Sequence, residues 1–204
     1  MRKLHLFICF AVFVLLADLR AQNCTLKKES GNTKVYTCDA QNDKFKSLKA
    51  EIIFENTTLA ELRAVLFDVS NYTRWQYKMI ECKLLQQVNT DEMIIRSVVD
   101  SPWPVENREM LVRFTCSMDA PNNFMTITAR GGIDYDYPKN KELVRVPFSE
   151  ALWKVTQKGN SLHVAYTLQV DPGGSLPAWM VNMAMAEGPF ETFKKLSDLL
   201  KSRS

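Results

Sequence analysis

The sequence predicts an α+β domain: a curved antiparallel β-sheet wrapped around a long C-terminal α-helix, with an internal apolar cavity between them. Three observations carry this. Most of the chain reads as short strands punctuated by turn residues. Residues 176–200 instead carry Trp179, Met183, Ala186, Phe190, Phe193, Leu196 and Leu200 at intervals of three and four, an apolar helical stripe. The 204 residues are 46% hydrophobic and hold no repeat or Pro/Gly-rich linker, which fits one domain with a real core. A strongly twisted sheet of this size curls, and a long amphipathic helix can fill its concave face.

In chain order, Arg2 and Lys3 precede an almost unbroken apolar run from Leu4 to Leu16, followed by Asp18, Arg20 and Ala21. This is the layout of a secretory signal peptide over residues 1–21. An uncleaved anchor is the alternative, but the run is shorter than the ~18 residues a spanning helix needs. Residues 22–204 are then the mature domain, expected as a monomer in the periplasm or outside the cell. Losing Arg2, Lys3, Arg20 and Asp18 takes the net charge from +3 to +1. There is no global basic field, so nucleic acid is not an expected partner.

Residues 24–29 and 33–39 form a hairpin about Ser30-Gly31-Asn32, with Cys24 and Cys38 symmetric about Gly31. Opposed hairpin positions bring Cβ atoms within ~4.5–5.5 Å, close to disulfide distance. A Cys24–Cys38 disulfide is expected in an exported chain. Cys82 and Cys116 fall in apolar strands and read as buried thiols. No Cys/His cluster has zinc-site spacing, so no metal or cofactor is expected.

Residues 45–54 read as a strand. Asn56-Thr57-Thr58 can then cap a helix bearing Leu59, Leu62, Leu66 and Val69. Strands follow at 79–88 and 92–100 about Asn89-Thr90-Asp91, then at 108–118 and 124–130 about Pro121-Asn122-Asn123. Two long strands, 143–157 and 161–170, meet at Gly159-Asn160. Pro177 suits the first turn of the last helix, and Gly188-Pro189 should kink or briefly break it.

Pro102-Trp103-Pro104-Val105-Glu106-Asn107-Arg108-Glu109 resembles a motif of the START (steroidogenic-acute-regulatory-related lipid transfer) domains, with Glu109 where Asp is usual. Asp171-Pro172-Gly173-Gly174-Ser175-Leu176-Pro177-Ala178-Trp179-Met180-Val181-Asn182 resembles the same family's approach to its C-terminal helix, closest to the phosphatidylcholine transfer protein branch. The opening hairpin is similar too, so the resemblance runs through nearly the whole mature chain. It implies a helix-grip fold, an internal lipid tunnel, and a gate carrying Trp103, Val105, Leu176 and Met180. Val98 and Phe114 stand where many relatives carry a buried Glu–Arg pair, a departure that makes the tunnel more apolar. The same strand parity points Arg96 inward, as a possible contact for a carboxylate or phosphate headgroup. A one-residue register change would instead leave it solvated.

Strand parity selects Met110, Val112 and Phe114, then Trp153 with Val155, and Tyr166 with Leu168 as cavity lining. Trp179, Met183 and Phe190 would cover them from the helix. The reading is a non-catalytic carrier or sensor of a lipid or other apolar small molecule, with transient membrane contact at the gate. An acyl chain gains about 0.8 kcal/mol per CH2 buried, roughly 13 kcal/mol for sixteen carbons before ordering costs. The rival is a helix-grip enzyme, cyclase- or hydrolase-like, acting on a bound apolar substrate through Arg96, Tyr166 or His163. No nucleophile–base pattern surrounds His163, and Gly131-Gly132 and Gly173-Gly174 lack a phosphate-loop context.

Overall fold

The hairpin of β1 (Cys24–Ser30) and β2 (Thr33–Cys38) opens the computed structural model, which describes residues 23–39, 47–177, 179–181 and 185–203. The predicted leader, residues 45–46 and Met183 lie outside the described residues. Cys24 and Cys38 are direct partners in the hairpin and form a disulfide, as their symmetry about Gly31 predicts. The bridge closes a separation of 14 residues, which in the chain-entropy account stabilises by ~3 kcal/mol. The Cys24→Ser/Cys38→Ser variant is expected to lose about that much in urea unfolding, and reduction of the native protein should match it.

β3 (Ser47–Glu55) pairs with β2 and buries Leu48, Ala50, Ile52 and Phe54 on one face. The chain then leaves the sheet for α1 (Leu59–Phe67). Thr58 caps it: its hydroxyl accepts from the Glu61 N–H, and the Glu61 carboxylate accepts from the Thr58 N–H at 2.7 Å. These reciprocal bonds satisfy free donors of the first turn and hold the Glu61 carboxyl below its usual range. A 3-10 turn (Val69–Asn71) leads into α2 (Tyr72–Trp75), which buries Tyr72 and Trp75.

β4 (Met79–Asn89), β5 (Glu92–Val99), β6 (Arg108–Asp119) and β7 (Phe124–Gly131) follow as antiparallel neighbours. The predicted strand 143–157 divides at Val146-Pro147 into β8 (Val144–Arg145) and β9 (Phe148–Lys158). β7 ends where Gly131 makes room for the Ser149 side chain and Gly132 for other backbone: a Cβ on Gly132 would lie 1.9 Å from the Pro147 carbonyl oxygen. β8 then takes the vacated edge of β6, parallel to Arg108 and Glu109. β10 (Ser161–Asp171) lies between β9 and β3. The ten-stranded sheet runs β1-β2-β3-β10-β9-β7-β6-β5-β4, with β8 beside β6.

The last helix, α3 (Glu187–Lys201), starts at the predicted break. Gly188 and Pro189 open it, because a proline in the first turn sacrifices no intrahelical donor. Ahead of it, the N–H groups of Met180 and Val181 close a turn on the Pro177 carbonyl. Phe193, Leu196 and Leu200 of α3 are buried in the same core as the sheet's inner face and α1. The architecture is the expected helix-grip arrangement.

Candidate functional site

Between α3, α2 and the inner face of the sheet lies a cavity of about 330 Å³, within the ~300–1,000 Å³ range of small-molecule pockets. Met110, Val112 and Phe114 line it from β6, Trp153 from β9, Tyr166 and Leu168 from β10; Val155, selected by the same parity, is buried in the core outside this wall. Trp153, Tyr166 and Phe193 form a mutual edge-to-face cluster with centroids 5.0–5.3 Å apart. Burial pushes the Tyr166 phenol well above its ordinary value, so it stays neutral.

The helix side differs from expectation. Trp179 is 64% exposed and outside the cavity wall. Phe190 turns toward the opening hairpin, where Lys28 sits over its ring at 5.2 Å and pairs with Glu187. The Gly188-Pro189 break moves the first turn of α3 out of the uniform stripe assumed from spacing. Gly188, Pro189, Thr192 and Phe193 are the helix residues that reach the cavity. Sequence reading also missed the wall opposite, from Leu66, Tyr72, Trp75 and Tyr77. The Tyr77 N–H donates to Thr192 Oγ1 at 3.0 Å and so ties this wall to α3.

Arg96 corrects the parity argument. Ile95, Ser97 and Val99 of β5 line the cavity, so Arg96 and Val98 point to the opposite face. Arg96 is buried there, neither inward nor solvated. Its Nε donates to Glu109 Oε1 at 2.5 Å and its Nη1 to Glu81 Oε1 at 2.7 Å. Arg145 of β8 donates to the second Glu109 oxygen at 2.7–2.8 Å, and the Tyr137 ring covers both guanidiniums. Burial raises the Glu109 pKa, but the bonds from Arg96 and Arg145 outweigh it and leave the carboxyl below its usual range. An arginine committed to two carboxylates outside the cavity is not a headgroup contact. The available signal was the nearly unbroken apolar run of β5: burial of both faces removes alternation.

The predicted gate segments meet through Arg108, which the sequence reading used only as a motif residue. Its guanidinium donates to the Glu106 carbonyl in the 101–107 loop and, at 3.4 Å, to the Gly173 carbonyl ahead of α3. Desolvation lowers its pKa, and its Nε is buried without a partner. Gly173 and Gly174 have φ of +67° and +70°, and a Cβ on Gly173 would press on Pro147 at 3.0 Å. Trp103 is 93% exposed at the tip of its loop, Val105 and Met180 are half-buried, and Leu176 packs on the core. Cys82 is half-buried and burial pushes its thiol up to about 12; Cys116 is buried and shifted the same way. Neither is a reactive thiol.

The START domain family model matches residues 10–203. An uncharacterised protein of Pseudomonas aeruginosa is 30% identical over 195 residues, covering 95% of this chain and 94% of that one. The crystal structure of a STAR-related lipid transfer protein from Xanthomonas axonopodis (fragment 25–204) superposes with a TM-score of 0.79 at 26% identity, covering 87% of this chain and 98% of that one. Human STARD10 shares the fold, with a TM-score of 0.74 at 21% identity over 86% of this chain and 71% of its own.

Proposed function

We infer, on the premise that this chain belongs to the START domain family, that it is a non-catalytic carrier of a lipid or other apolar small molecule. The ligand lies in the cavity under α3 and exchanges past the 101–107 loop and the segment ahead of α3. The cavity itself carries this reading, since its wall is mainly apolar and aromatic. Burial of apolar surface is sufficient to hold such a ligand, and no covalent step is needed. Native mass spectrometry of protein from its own host, followed by lipid extraction, tests it. A stoichiometric lipid released on denaturation is expected; a bare protein that also takes up nothing from a mixed lipid panel overturns it.

The exposed indoles of Trp103 and Trp179 support membrane contact at the gate, since such rings favour the headgroup level. Joint replacement of both by alanine should slow ligand transfer between vesicles severalfold. Each surface change should leave stability within about 0.5 kcal/mol. We also propose that the chain works after export, as a monomer. The Cys24–Cys38 bridge supports an oxidising compartment. Among the described residues, no helix is long and apolar enough to cross a membrane.

A further inference from the structure

We propose that the cavity selects a neutral lipid whose polar end is an uncharged oxygen group, such as an ester or ketone, over an ionised fatty acid or a phospholipid headgroup. This rests on the carrier reading above and narrows it. Among the described residues that line the cavity there is no Asp, Glu, Lys, Arg or His. Arg96, the cation that strand parity offered to an anion, lies on the other face of the sheet and is already paired. An ionised carboxylate moved into such a wall would lose its hydration with no counter-charge, and it would protonate or stay out.

The wall does carry uncharged hydrogen-bonding groups. Ser97, Ser149 and Tyr166 each bring a hydroxyl to the cavity lining. Trp75, in the same lining, has a buried indole N–H without an acceptor. A buried N–H without a partner is costly, and an uncharged ligand oxygen can accept from it, or from a hydroxyl of the wall, without bringing a charge. The three hydroxyls sit on β5, β9 and β10. Trp153, the cross-strand partner of Tyr166, lies four positions along β9 from Ser149, or ~13 Å along the strand. They can therefore meet oxygens at different points of one ligand.

The cavity volume sets the probe. At ~30 Å³ for a water-sized group, 330 Å³ holds a chain of roughly a dozen heavy atoms. Methyl decanoate, decanoate and decane are thus a matched set differing only at the polar end. Binding is measured by competition against a fluorescent lipid at pH 8, on delipidated protein. The ester should bind at least tenfold more tightly than the carboxylate. Decanoate should weaken about tenfold per pH unit above the acid's own pKa, because only the protonated form enters. At least one of Ser97→Ala, Ser149→Ala and Tyr166→Phe should weaken the ester about three- to tenfold and the alkane less than twofold, with unchanged melting as the folding control. If decanoate binds as well as the ester without pH dependence, or if all three variants treat ester and alkane alike, the neutral-lipid proposal fails while the carrier reading stands. If none of the three probes binds, and natural lipids also fail, both fall.

Discussion

Replacing Glu109 with alanine is expected to lower the free energy of unfolding by about 3–5 kcal/mol, the range for removing one partner of a buried ion pair. The Glu109 side chain is 1% exposed and accepts from both Arg96 and Arg145, so its loss leaves Arg96 with Glu81 alone and Arg145 without a carboxylate. By contrast, Asp91→Asn, which breaks the more exposed Arg63–Asp91 pair, should cost under about 1 kcal/mol. Simultaneous apolar replacement of Arg96, Glu109 and Arg145 should recover much of the loss, since desolvation of unpaired charge is its main source. The same cluster sets a pH dependence. The Glu109 pKa is depressed in the folded state, so its contribution is complete above the unfolded glutamate value, about 4.3. It is lost as pH falls through the lower folded value. Urea unfolding from pH 7 down to pH 3 should show a steeper acid loss in the native protein than in the Glu109→Gln variant. Equal slopes would remove the cluster from the account.

Phe193→Ala should cost a similar ~3–5 kcal/mol. Phe193 is 1% exposed, and it is the side chain by which α3 meets Trp153 and Tyr166. The deletion also merges new space with the existing cavity, so bulkier ligands should be retained better relative to slim ones. Phe190→Ala is the comparison. Phe190 is only half-buried and lies outside the cavity wall, so it should cost less and leave ligand selection unchanged. Chemical denaturation and a ligand-size series check both halves of the prediction.

The cavity-lining residues of β6, β9 and β10 were legible in the sequence because those strands alternate, and a period of two assigns faces. The same rule misplaced Arg96, because β5 carries six buried residues in succession, Met93 to Val98. Alternation within one strand cannot say which buried face is the cavity and which is covered by another segment. Here the loop carrying Tyr137, together with β8, makes the second cover. Helical spacing similarly found Phe193, Leu196 and Leu200. It overreached at Trp179, which lies ahead of the break expected at Gly188-Pro189, and at Phe190, whose ring is taken up by Lys28 of the opening hairpin.

The sequence by itself determined the local and periodic features. These are the cystine hairpin about Gly31, the Thr58 cap, the inward faces of the alternating strands, and the amphipathic helix at the end. Each depends on neighbours a few residues apart or on a simple period, which one chain read in order can display. Only the tertiary structure decided the rest: the Glu81–Arg96–Glu109–Arg145 cluster, the bridging role of Arg108, and a cavity lining free of charged side chains among the described residues. Those features join residues far apart in the chain, 65 positions in the case of Arg108 and Gly173. Their physical cause is which polar group finds a partner once water is excluded, and that is settled when sheet, loops and helix close on one another.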